Sequence, residues 1–160
     1  MPYTLKVEGM EDITEMLSRA GEAATGVAAQ ALYKGAGVVA DEISKGARGL
    51  KTAPFRYAHG WQRDPSPEEK EAVVSAGAMG ISKFRKTGNE VRTSVGYGKS
   101  GYADVAGRRK PVPLIAASIN TGTSFMKKQP FIRNAEAKSR KRASDAITEE
   151  VERLIEDMMK

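Results

Sequence analysis

Residues 20–40 hold eight Ala and four Gly, and this small-residue tract restricts the fold more than any other feature of the chain. Apolar positions keep helical spacing through it and before it: Ile13, Met16, Leu17, Ala20, Ala24, Val27, Ala31, Val38 and Val39. That period predicts a long helix over about 10–47, with Asp12 and Glu15 at capping-box spacing near its start. A stripe so poor in bulky side chains cannot fill a thick core. It lets another backbone approach closely, so this face should pack tightly on a sheet or on a helix. Gly21, Gly26, Gly35 and Gly37 each cost about 1 kcal/mol against Ala in a helix, and 35–37 is the natural place for a kink. The tract is no membrane span, because Glu22 and Lys34 interrupt it and a spanning helix needs ~20 predominantly apolar residues. No basic stretch followed by an apolar run opens the chain, so no signal peptide is expected.

The other elements follow from local pattern. Tyr3, Leu5 and Val7 alternate with Thr4, Lys6 and Glu8, which predicts a half-buried strand over 3–8. Residues 45–67 read as a loop carrying Phe55, Tyr57 and Trp61. Ser66-Pro67-Glu68-Glu69 is a helix start, with Ser at the cap, Pro first and Glu at the third position, and that helix should run to about residue 77. Strands over 80–86 and 90–97, joined by Thr87-Gly88-Asn89, read as a hairpin whose Val91, Thr93, Val95 and Tyr97 share a face. Residues 98–113 read as a long basic loop. Residues 114–120 suit a strand or a short helix, and a further sheet strand at 114–119 is the arrangement expected here. Thr121-Gly122-Thr123-Ser124 is a turn. Pro130 opens a final helix to about 159 whose stripe is Ala143, Ile147, Val151, Leu154, Ile155 and Met158. Together these predict one α+β domain over 1–160. Its small, mainly antiparallel sheet would be packed by a long N-terminal helix and a C-terminal helix, with extended basic loops at about 50–66 and 98–113.

Charge is unevenly spread. The net charge is +6, and residues 51–110 alone carry 12 basic and 6 acidic side chains. Within the last helix region, 127–142 hold seven basic residues and one acid, whereas 143–160 hold two basic and six acidic. The helix dipole favours the reverse order by roughly 0.3–1 kcal/mol per terminal charge. A basic half and an acidic half can instead lie against complementary halves of neighbouring copies. Both halves being merely solvated is the simpler alternative.

Little in the chain suggests catalysis. Cys is absent and His59 is the single His, which removes thiol nucleophiles, zinc ribbons and any mechanism needing two imidazoles. Gly98-Lys99-Ser100 resembles the end of a phosphate-binding loop, but position 93 is Thr where that loop needs Gly. His59 lies in a polar stretch without a Gly-x-Ser-x-Gly elbow. Paired acids such as Glu68-Glu69 and Glu149-Glu150 read as solvated helix faces. No catalytic residue, cofactor or metal is expected, and a small enzyme would have to depend on His59. The basic clusters Arg108-Arg109-Lys110 and Lys138-Ser139-Arg140-Lys141-Arg142 suit phosphate contacts without sequence readout. A basic, non-specific DNA-binding protein is therefore the alternative reading.

One segment carries a family resemblance: Ile119-Asn120-Thr121-Gly122-Thr123-Ser124-Phe125-Met126-Lys127-Lys128-Gln129-Pro130-Phe131-Ile132-Arg133-Asn134-Ala135. It resembles the Gly-Thr-Ser, basic spacer, Pro-Phe-aliphatic-Arg-x-Ala run of the tail-completion or head–tail joining proteins of long-tailed bacteriophages. Lys6-Val7-Glu8-Gly9-Met10 is similar to the phrase that precedes that family's first helix. The family's Ala-Pro-x-x-Thr-Gly-x-Leu phrase survives here only as Ala53-Pro54, and Asn120 and Thr121 stand where an acid is common. The resemblance implies a non-enzymatic virion protein at the neck or tail top, made in the host cytoplasm. It implies a ring of copies, a hexamer by analogy, touching a connector or stopper, a tail terminator or the tail tube. Genomic DNA would pass nearby, and no membrane is involved. The contact residues expected on this reading are Phe55, Tyr57, Trp61, Arg108, Arg109, Lys110, Lys138, Arg140, Lys141 and Arg142.

Overall fold

The computed structural model describes residues 3–5, 22–54, 62–75, 77–88, 90–98 and 101–160. Among these, the small-residue tract forms helix α1, Glu22–Arg48, unbroken through Gly35 and Gly37. Its partner is a helix rather than a sheet along most of its length. Helix α4, Phe131–Met159, lies antiparallel to it: Gly46 faces Phe131, and Gly35 faces Ala143 and Ile147. The Gly35 position explains the tract. A Cβ there would stand 2.5 Å from Cγ1 of Ile147 and 3.1 Å from the Ala143 carbonyl oxygen. Ile147 is fully buried and packs with Val27, Ala31, Leu32 and Val151. The part of the expected helix before residue 22 lies outside the described residues.

Strand β1, Tyr3–Leu5, pairs antiparallel with β4, Glu90–Gly96. The stretch expected as one strand over 80–86 is two short ones, β2 (Gly80–Ile81) and β3 (Arg85–Thr87), each antiparallel to β4. Thr93, Val95 and Tyr97 are buried and Val91 half-buried, so the expected shared face is the inner one. Helix α1 packs against β4. Burial pushes the Tyr97 hydroxyl up to about 12. That hydroxyl donates to the Val73 carbonyl at 2.9 Å, and its ring meets Phe131 edge-on. Phe131 thus anchors the start of α4 beside the sheet.

Helix α2 is Pro67–Val74, shorter than expected, and ends at Ser75, whose N–H is bonded to the Glu71 carbonyl. Two expectations are corrected between residues 98 and 121. The stretch 98–113 is not a loop throughout: β5 (Tyr102–Val105) and β6 (Arg108–Pro111) form a separate antiparallel hairpin. Its two turn residues, Ala106 and Gly107, both have positive φ, +51° and +73°. Fully buried Val105 and buried Val112 fix the hairpin to the core. The stretch 114–119 is no strand but part of helix α3, Val112–Thr121. Pro113 sits in its first turn, and Val112, Ile115, Ala116 and Ile119 repeat at one-face helical spacing and are all buried.

Ala106 occupies a conformation that costs an L-residue roughly 1–2 kcal/mol. Asn-Gly is the pair preferred where both turn residues have positive φ. Ala106→Asn should therefore raise stability by about 1 kcal/mol, read as a higher urea midpoint at unchanged slope. Its N–H donates to Glu68 Oε2 at 2.7 Å, a bond the substitution leaves in place.

Candidate functional site

The residues expected to make contacts fall into three groups. Phe55, Tyr57 and Trp61 lie outside the described residues, as does His59, on which a small enzyme would depend. Arg108, Arg109 and Lys110 stand on β6. Arg108 and Arg109 are exposed, and the Arg109 guanidinium lies over the Tyr102 ring, 5.0 Å from its centre. Lys110 is half-buried, with Nζ 4.0 Å from Glu69 Oε1. Lys138, Arg140, Lys141 and Arg142 are exposed on α4, but two of them are engaged within the chain. Arg142 bridges to Glu42 of α1 at 2.6 Å, and Arg140 lies 3.6 Å from Glu136, one turn back. Strand β5 follows Gly98-Lys99-Ser100 where a phosphate-binding loop would need a helix.

The tightest polar cluster sits under the hairpin. The Arg63 guanidinium grips both oxygens of Glu69, at 2.7 and 2.9 Å. The Ser66 N–H donates to Glu69 Oε2 at 2.8 Å, and the Glu69 N–H returns a bond to Ser66 Oγ at 3.2 Å, completing the capping box read from the sequence. Burial would raise the Glu69 pKa, but the Arg63 and Ser66 hydrogen bonds and the Arg63 and Lys110 charges hold it below the ordinary value. The same hydrogen bond with Glu69 raises Arg63. A carboxylate so fully supplied with donors is a poor proton acceptor near neutrality. Its work is to tie residues 63–66, α2 and β6 together. Among the described residues, no group of three His, Asp or Glu is placed to hold a metal ion. No helix among them is long and apolar enough to cross a membrane.

Segment 123–130 joins this cluster to α4. It runs beside residue 63, with a parallel bridge between Arg63 and Met126. Gly122 has φ +78°, and a Cβ there would come within 3.0 Å of the Lys128 Cβ. Pro130 gives α4 no side-chain cap. Asn120, buried at the end of α3, supplies one from a distance: its Oδ1 accepts from the N–H groups of Ile132 and Arg133 at 3.1 and 3.3 Å. The segment that carries the family resemblance is thus the joint that sets the direction of α4. The sequence showed Asn120 only as a departure from the family pattern.

Beside that joint lies a groove of about 600 Å³, bounded by the end of α1, residues 50–51 and 64, segment 127–130 and the first turns of α4. Lys51, Lys127, Lys128 and Lys138 line it, with Leu50, Pro130, Phe131 and Ala135 among its apolar parts. Gln129 fixes one wall by bonding both to the Lys51 N–H and to the Lys51 carbonyl, each at 3.0 Å. The two acids in the lining have partners: Glu42 pairs with Arg142, and Asp64 accepts from Gln129. The Arg142 hydrogen bond holds the Glu42 carboxyl below its ordinary range. Among the described residues, none of the four lysine ammoniums has a carboxylate within ion-pair distance. Sequence reading found Lys138 and the basic run 127–142 but not the groove, because Lys51 and the end of α1 come from a distant part of the chain.

The other end of α4 is its electrostatic opposite. Glu150, Arg153 and Asp157 pair among themselves, and Lys160 lies 3.9 Å from Asp157. Asp145, Glu149, Glu152 and Glu156 recur at intervals of four, three and four residues, which places them on one helix face. All four are exposed. Among the described residues none of them has an ion-pair partner. Compared with family models, with curated proteins and with solved structures, the chain finds no match.

Proposed function

We propose that this chain is a structural component of a long-tailed phage particle. It would stand at the neck or the top of the tail, where copies form a ring that completes the tail or joins it to the head. The observation that carries the reading is the resemblance over 119–135, a stretch that here forms a single mechanical joint. Asn120 caps α4, Gly122 makes the turn, and Phe131 packs on Tyr97. The surface supports the same reading. Opposite charges without an ion-pair partner among the described residues are segregated to the two ends of one rod, an arrangement suited to contacts between copies. Neck and tail proteins such as a connector or stopper, a terminator or the tail tube are the neighbours this role implies.

Native mass spectrometry of the purified full chain tests the proposal. The expected result is one closed oligomer of defined copy number, a hexamer by analogy, which falls apart as salt rises. A monomer at every concentration would contradict it. The exposed Arg108 and Arg109 favour a second reading, non-specific DNA binding. A salt titration with duplex DNA measures that directly, since affinity then falls steeply with salt in proportion to the phosphates contacted. Tight duplex binding by the monomer, without oligomers, would put this second reading first.

A further inference from the structure

We infer that the lysine groove at the root of α4 is the receptor for the acidic end of α4 of a second copy, so that neighbours join head to tail. The inference rests on the assembly reading and adds to it the two surfaces that meet. Helix α4 has 29 residues and is therefore ~43 Å long. The groove lies at its first two turns, whereas the carboxylate stripe begins at Asp145 and ends at Glu156. A continuous helix cannot return its far end to its own start, so these four lysines and four carboxylates, which lack ion-pair partners among the described residues, can meet one another only between molecules. Such a contact joins unlike patches, and it closes into a ring or continues as a filament.

The groove's chemistry favours a helix end over a phosphate backbone. Its lysines are mixed with apolar groups, half-buried Pro130 among them, which a phosphate backbone would leave uncovered. Beyond the stripe the rod ends in Met158 and Met159, 55% and 79% exposed, which suit that apolar floor. The lysines then take the flanking carboxylates.

Two charge-reversed variants of the full chain test this by sedimentation velocity at low and high salt. All four substituted side chains are exposed, and circular dichroism checks that each variant folds. Lys127→Glu with Lys128→Glu, and Glu152→Lys with Glu156→Lys, should each weaken self-association by at least about tenfold. Mixed in equal amounts, they should assemble together, because each then offers the other a complementary groove and stripe. If both variants associate like the unaltered chain, the interface lies elsewhere and the groove assignment is overturned, while the ring reading stands. If the lysine variant loses binding to a duplex oligonucleotide yet still self-associates, the groove's occupant is nucleic acid and the inference fails. An unaltered chain that never associates removes the assembly reading and this inference together.

Discussion

Arg63→Met should destabilise the fold by about 3–5 kcal/mol, the usual cost of stranding one partner of a buried ion pair. Glu69 is 2% exposed, so water cannot replace the two bonds that the guanidinium makes. Urea denaturation of the variant should show that loss. Replacing both partners, as Arg63→Met with Glu69→Gln, should recover most of it, because no buried charge then remains and the amide oxygen can still accept from Ser66. The pair also sets an acid limit. The Glu69 pKa is lowered on folding from an ordinary 4.5, so its contribution is fully present above about that pH. It is lost as pH falls through the lower folded value. Melting curves across that range should show the native chain losing more stability than Glu69→Gln does. An equal loss in both would remove this group from the acid response.

The second large effect lies between the long helices. Ile147→Ala should cost about 2–5 kcal/mol, since the site is rigidly lined and collapses only partly. Gly35→Ala should also destabilise the native chain, despite gaining about 1 kcal/mol in helix propensity. Its methyl would stand 2.5 Å from an Ile147 carbon that has no free space to move into. Ile147→Ala removes that clash and leaves only the 3.1 Å approach to the Ala143 carbonyl, so in its background Gly35→Ala should cost much less. A large favourable coupling between the two substitutions, read in a double-mutant cycle by urea denaturation, is the signature of this close approach. Additive losses would mean that the glycine is not there for Ile147.

The elements readable in advance were those with strong periodicity or explicit punctuation. The small-residue tract demanded a close partner, Ser66 and Glu69 marked a cap, and α4 ran to Met159 as expected. Its stripe, however, is buried only as far as Val151, half-buried at Leu154 and Ile155 and exposed at Met158. What escaped was carried by weak or distant signals. The β5–β6 turn uses Ala106-Gly107, a pair with none of the usual turn preference at its first position. Helix α3 is ten residues long, and its Val112, Ile115, Ala116 and Ile119 spacing competes with a short apolar run that suits a strand equally well. The cap of α4 is supplied by Asn120, 11 residues before the helix begins, where no local rule would seek it. The groove needs Lys51 and the end of α1 folded against segment 127–138 before its lysines share a surface. Arg140 and Arg142, by contrast, read as free basic contacts, yet intrachain acids engage both.

Electron microscopy of purified phage particles, with this chain carrying a gold-binding tag, tests the central claim most directly. The account predicts labels arranged as a ring at the junction of head and tail, one for each copy. Particles without label, or label spread through the DNA-filled head, would contradict it.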